Sequence, residues 1–322
     1  MTGPGPKGTL TTNDDLLRFV LRERPAPLGA TDLRSFLAET APIRARFALP
    51  VDRAIAGGAV ADRLGYAFAS GYQAALLALI PGLSPDGFAS FCVTEERGNK
   101  PRDVVSSLSR AASGRVLAGK KRWSTMAPVA TTLVVIAREG VREDGRPRLV
   151  AARVPAIAPG LAIAEMPAPP FVPEVTHAEL SFDAVSVPEA DVLPGDAYDE
   201  YVKPFRTAED LHVQAAVLGY LTNVAFRHGF PEGIKERLAA LLVAVRGFAG
   251  LDFKRAETHL ALSGLLSQIG SLVGEADASW AQVGDAERER WYRDVVLVGV
   301  AQRARDERRA RAFQSLQGDG SP

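Results

Sequence analysis

Acid–base chemistry needs ionisable side chains held close together, and one stretch of this sequence offers them: Glu209, Asp210 and His212. Residues three apart on a helix share roughly one face, so His212 is placed to tune the Glu209 carboxylate. A carboxylate of this kind becomes a base near neutral pH when desolvation raises its pKa. The competing reading is plain: two ordinary acids on a helix face, and a packed histidine. A second stretch, Trp123-Ser124-Thr125, sets two hydroxyls next to a flat aromatic ring. It also has a competing reading, a tryptophan that fills a β-domain core beside an ordinary strand residue. The four histidines, His177, His212, His228 and His259, show no metal-ligand spacing. A single cysteine, Cys92, excludes an internal disulfide and a cysteine-based metal cluster.

The elements that must position these residues follow from capping and periodicity. Thr12-Asn13-Asp14-Asp15 precedes Leu16, Leu17, Phe19 and Val20, and Thr31-Asp32 precedes Leu33, Phe36 and Leu37; both are helix starts. An apolar segment rich in alanine and glycine, about Val60 to Ile80, predicts a closely packed buried helix that ends at Pro81-Gly82. The character then changes. Thr131–Ala137 is a β-branched apolar run, Arg148–Val154 is its hairpin partner across Asp144-Gly145, and Ala178–Phe182 alternates as a half-buried strand. Short strands with Pro- and Gly-rich connections predict a small β-barrel or sandwich. From about Tyr201 the pattern is helical again, over about Lys203–His228, Glu232–Phe248, Asp252–Val273 and Glu287–Gln314.

Composition bounds the rest. With 322 residues the chain is long enough for two or three domains. Its formal charge is zero, which gives no electrostatic case for nucleic acid. No apolar run reaches the roughly 18 residues of a membrane span. Met1-Thr2-Gly3-Pro4-Gly5-Pro6 lacks the apolar core of a signal peptide and reads as a disordered leader. A reducing cytosol is the simplest compartment, so a cytoplasmic protein is expected. The arginine-rich end, Arg303 to Arg311, interleaves Asp306 and Glu307 and predicts an internally paired, solvated face rather than a phosphate site.

Three motifs in order carry a resemblance. They are Phe91-Cys92-Val93-Thr94-Glu95, then Gly119-Lys120-Lys121-Arg122-Trp123-Ser124-Thr125, then Glu179-Leu180-Ser181-Phe182-Asp183 running on to Val187-Pro188 and Val192-Leu193. Thr94 and Trp123 stand about thirty residues apart. This series resembles the middle domain of the acyl-CoA dehydrogenases, flavoenzymes that desaturate acyl thioesters. The resemblance implies an α+β multidomain fold: an N-terminal helical domain (10–90), a central β-barrel domain (91–198) and a C-terminal helical bundle (199–316). It implies FAD as cofactor, with Phe91, Val93, Thr94, Trp123, Ser124 and Thr125 at the isoalloxazine. It implies an acyl-CoA or acyl-carrier thioester as substrate. Most of the family carries its base in a late Glu-Gly turn, which this chain lacks. A minority carries it ten residues before a glycine in an Ala-Ala-rich stretch; Ala215-Ala216-Val217-Leu218-Gly219 matches, and the count leads back to Glu209.

The chain also departs from the family. Asp210 replaces the arginine usual beside that base. Glu96-Arg97-Gly98-Asn99-Lys100-Pro101-Arg102-Asp103 replaces a proline followed by a small-residue loop, leaving Gly98 and Asp103 as remnants and offering Lys100 and Arg102 as cations for a phosphate. The second flavin-binding motif is not copied around Gly229-Phe230-Pro231. Three functions therefore stay open: α,β-desaturation of an acyl thioester, a degenerate non-catalytic subunit of a heteromer, or a flavin-dependent monooxygenase of the same fold. A homo-oligomer or a heteromer with a paralogue is expected from the apolar stripe Leu260, Leu262, Leu265, Leu266, Ile269, Leu272 and Val273.

Overall fold

Helix starts are set by side chains that accept otherwise unpaired backbone N–H groups. Thr12 accepts from the Asp15 N–H to open α1 (Asn13–Leu17), and Asp32 accepts from Ser35 to open α2 (Leu33–Arg44). The computed structural model describes residues 12–112 and 114–318. The leader Met1–Pro6 lies outside them. The chain divides into two units. A helical unit holds the chain up to Ala78, Pro170–Val172 and the chain from Thr207; a β-unit holds Leu79–Pro169 and Pro173–Arg206.

In the helical unit, the helix expected over about Val60 to Ile80 is α4 (Leu64–Leu79), which ends just before Pro81-Gly82, and a separate α3 (Pro50–Ala59) precedes it. Residues 60–63 join the two. α5 (Lys203–Arg227) begins in the β-unit and enters the helical unit at Thr207; α6 (Glu232–Arg246) and α7 (Ala256–Glu275) follow. The last expected helix is two: α8 (Asp285–Asp294) and α9 (Gln302–Gly318), separated by a 3-10 turn over Val295–Gly299. Small residues bring α3 and α5 to backbone contact. A Cβ on Gly58 would lie 2.0 Å from the Ala216 carbonyl oxygen, and one on Gly219 would lie 2.2 Å from that of Ile55. Within the alanine- and glycine-rich stretch itself, a Cβ on Gly71 of α4 would lie 2.5 Å from the Val213 Cα of α5, so that stretch packs closely, as its composition implied.

Behind that surface, Trp280 stacks on Trp291 at 4.3 Å, and Tyr220 stacks on the other side of Trp291 at 6.2 Å. Leu262, Leu265, Ile269 and Leu272 of α7 are buried within the chain itself. Much of the stripe expected to form an oligomer interface therefore already has a partner. Among the described residues no helix is long and apolar enough to cross a membrane.

The β-unit is one seven-stranded sheet. Its strands are β1 (Ala89–Cys92), β2 (Ser107–Arg110), β3 (Arg115–Thr125), β4 (Thr132–Val141), β5 (Pro147–Pro155), β6 (Leu161–Glu165) and β7 (His177–Val187). The expected hairpin is present: β4 and β5 pair antiparallel, with Val135 opposite Ala152. On its other edge β4 runs parallel first to β1 and then to β2. β3 lies between β2 and β7, and β6 closes the other end on β7. Leu133, Val135 and Ala137 of β4 join Leu117, Leu180, Phe182 and Val185 in the core of this sheet. That continuous burial explains why the β4 run does not alternate in sequence.

Candidate functional site

The site in the β-unit is built on a pairing irregularity. Lys121 of β3 faces Leu180 of β7, and the next pair is Ser124 with Ala178. Two residues, Arg122 and Trp123, therefore oppose Glu179 alone, which is a β-bulge. Trp123 takes the left-handed backbone conformation, φ +56°, and Met126 just beyond it does the same at +61°. Such a conformation costs a bulky residue roughly 1–3 kcal/mol and is kept where the surroundings impose it. The result is an indole that is 55% exposed instead of filling the sheet core. It is held edge-on to His177, 6.4 Å between centroids, and the Arg122 guanidinium sits 5.4 Å from its ring centre. Burial lowers the pKa of His177, so this ring is neutral at pH 7.

β1 delivers the second half of the site. The Arg122 N–H donates to the Thr94 carbonyl oxygen at 3.0 Å, so the segment after β1 lies against the bulge. Thr94 and Thr125 are half-buried. Ser90 donates its hydroxyl to the Thr125 carbonyl at 2.7 Å and fixes the end of β3. The remaining candidates point elsewhere. Phe91 is buried against Phe205, with ring centroids 4.6 Å apart. Ser124 is buried beside Cys92, whose thiol burial pushes up to about 11. Val93 presents its carbonyl oxygen to Lys121.

Beneath the bulge lies a buried ion pair that sequence reasoning missed. Lys121 Nζ meets Glu95 Oε1 at 2.6 Å, with side-chain exposures of 0% and 5%. Glu95 also accepts the Val105 and Ser106 N–H groups, at 2.8 and 3.1 Å, while Lys121 donates to the Val93 carbonyl at 3.3 Å. Burial drives the Lys121 pKa down, and Glu95 offsets part of that. For Glu95, burial acts upward, yet the Lys121 charge and the hydrogen bonds outweigh it and leave the carboxyl below its usual range. The pair thus ties the residues flanking Thr94 to β3 two residues ahead of Trp123. Opposite Leu180 of β7, Lys121 lies on the core face of the sheet.

The charged loop Glu96–Asp103 closes on itself. Asp103 accepts from the Lys100 N–H at 3.1 Å, and Arg206 donates to Asn99 at 3.3 Å. Lys100 and Arg102 are exposed.

Glu209 is placed in the helical unit, half-buried on α5. Its neighbours on that helix are engaged. Asp210 is buried and bound by Arg305, at 2.8 Å, and by Arg308, both from α9. The arginine-rich end is thus paired among its own residues, as Arg303 and Arg311 are with Glu307, and it also clamps α5. His212 is buried; its Nδ1 lies 2.7 Å from the Ala208 carbonyl and its ring is edge-on to Phe253. It is a packed histidine that burial keeps neutral, with its pKa lowered to about 4. Among the described residues no group of histidine, cysteine and acidic side chains could hold a metal ion.

Comparison with known proteins gives the same direction at two levels. No family model matches the sequence. Benzylmalonyl-CoA dehydrogenase from Aromatoleum aromaticum is 32% identical over 120 residues, which is 37% of this chain and 31% of the relative. The matched part is thus about a third of that protein. In structure, butyryl-CoA dehydrogenase from Megasphaera elsdenii superposes with a TM-score of 0.66 at 14% identity, over 94% of this chain and 98% of the other. A putative acyl-CoA dehydrogenase from Mycobacterium smegmatis gives 0.62 at 16% identity, over 96% and 97%. PigA in complex with FAD gives 0.61 at 14% identity, over 94% and 96%.

Proposed function

We infer that this chain, a divergent member of the acyl-CoA dehydrogenase family, is an FAD-dependent flavoprotein acting on an acyl thioester. The observation that carries this reading is the bulge at Arg122-Trp123, which holds a strained tryptophan out of the core beside Thr94. A flat exposed wall flanked by half-buried hydroxyls suits a heteroaromatic ring with a polar edge. Thr94 and Thr125 would meet that edge and Trp123 would cover a face; Phe91 and Ser124 are buried and would act by supporting these positions. A bound flavin supplies a hydride acceptor at N5.

The chain's own part is then to orient the thioester and to hold a base. Glu209 is the acid that occupies a position the family uses. One of its carboxylate oxygens would take the α-proton as hydride leaves the β-carbon, provided closure around the acyl group excludes water and raises the carboxyl pKa. Asp210 is fixed by Arg305 and Arg308 and takes no proton in this scheme.

The test is the absorption spectrum of the purified protein. Oxidised flavin should give a band at about 450 nm. Trp123→Ala should release the flavin or shift that band. A coloured wild type whose spectrum and affinity survive Trp123→Ala would place the flavin elsewhere. A protein that stays colourless after incubation with FAD would favour the non-catalytic subunit, and oxygen consumption by the reduced protein would favour the monooxygenase.

A further inference from the structure

The helical unit contains an open cavity of about 380 Å³. Pro50 and Val51 at the start of α3, Ala78 near the end of α4, and Leu251 and Phe253 between α6 and α7 give it apolar walls. One buried polar group reaches it, the His212 ring. A carbonyl oxygen can only accept, so the contact of Nδ1 with Ala208 puts the proton on Nδ1. Nε2 is then a lone-pair acceptor, and among the described residues the ring's hydrogen bond is the one with Ala208. Nε2 is not one of the fully enclosed unpartnered atoms, so a donor in the open cavity would replace water there, a net gain of roughly 0.5–1.5 kcal/mol. Asp252 is the one acid on the lining and is exposed. It disfavours carboxylates and phosphates.

We propose that this cavity binds a small neutral molecule with an apolar body and one N–H or O–H group, which donates to His212 Nε2. A volume of this size is within the usual range for ligand pockets, roughly 300–1,000 Å³. Burial keeps the ring neutral well below pH 7, so Nε2 stays an acceptor across the ordinary pH range. The site is independent of the flavin reading, because every residue named here lies in the helical unit and none is a proposed flavin contact.

Three probes of one shape test it: phenol, toluene and benzoate. Titration calorimetry on the full chain should show phenol binding at least about fivefold tighter than toluene, the worth of one net hydrogen bond, and benzoate weakest. In His212→Phe, which keeps an aromatic ring and deletes the acceptor, that preference should vanish. Histidine ¹⁵N spectra of the wild type provide a readout that needs no variant. Phenol should shift a single Nε2 resonance toward the hydrogen-bonded range, and that resonance should be missing in His212→Phe. Equal affinity for phenol and toluene, a shift confined to another histidine, or no binding of either probe overturns the proposal.

Discussion

Removing one charge from the Lys121–Glu95 pair should be among the most damaging single changes in the β-unit. In Lys121→Met the apolar stem is kept and the ammonium is lost. Glu95 then remains at 5% side-chain exposure with no counter-charge. Breaking a buried pair from one side typically costs about 3–5 kcal/mol. Two backbone N–H groups, from Val105 and Ser106, still hold the carboxylate, so the lower end, about 3 kcal/mol, is expected. Glu95→Gln strands the ammonium instead, with the Val93 carbonyl as its remaining partner among those described here. The Lys121 pKa is already driven down by burial and loses the support of Glu95, so it falls further. A group whose folded pKa lies below its unfolded value gains stability as pH rises between the two. The Glu95→Gln deficit should therefore shrink as pH rises toward the unfolded lysine value, about 10.4. The double variant Glu95→Leu/Lys121→Met exchanges the pair for apolar groups and should lose much less than the two single changes summed. Urea unfolding followed by circular dichroism measures all four proteins, with two transitions allowed because two units can unfold separately. Strict additivity of the single changes, within about 0.5 kcal/mol, would refute the buried pair.

Three further outcomes are expected. Gly219→Ala drives a methyl into the Ile55 carbonyl oxygen, where a Cβ would lie at 2.2 Å, and should cost about 1–3 kcal/mol by forcing α3 and α5 apart; Gly264→Ala, on a helix with open space around it, should instead stabilise by up to about 1 kcal/mol, and thermal melts compare the two. His212 resists protonation until about pH 4, whereas the unfolded chain accepts the proton near pH 6.5, so stability should fall by about 3 kcal/mol as pH drops through that window, and His212→Phe should flatten this part of the profile in acid titration. If the chain desaturates a thioester, Glu209→Gln should retain flavin and slow α-proton exchange of a bound acyl thioester by about 10²–10⁴-fold, with wild-type exchange in that variant excluding Glu209 as the base.

The parts of this molecule that were legible in its sequence are those decided locally. Thr12 and Asp32 cap helices because their side chains reach N–H groups three residues ahead. The Thr131–Ala137 run is a strand because β-branched residues favour a pleated backbone, and its turn at Asp144-Gly145 brings back the partner. The parts that were not legible depend on distant partners. The bulge that exposes Trp123 exists only in the pairing of β3 with β7, so the sequence left open whether this ring fills a core or forms a wall. Lys121 shares the inward face of β3 with Leu117, and its partner Glu95 stands 26 residues earlier. Asp210 looked like an acid on a helix face, and its arginine partners come from α9, about a hundred residues later. The break at Val295–Gly299 was missed for the opposite reason: the helical pattern of the sequence continues past Gly299 while the backbone does not.

The Asp210 clamp also bears on how such a sequence can drift. Where the resemblance to the acyl-CoA dehydrogenases implies an arginine, this chain has an acid buried between Arg305 and Arg308. Restoring arginine at that position alone would enclose a third cation with two others, and each neighbour would lose its anion in the same step. Replacing Arg305 and Arg308 first would leave a buried carboxylate with nothing opposite it. The residue beside the candidate base and the composition of the final helix are therefore one inherited character. Neither can be exchanged alone without leaving buried charge unpaired, so single substitutions at either end are blocked.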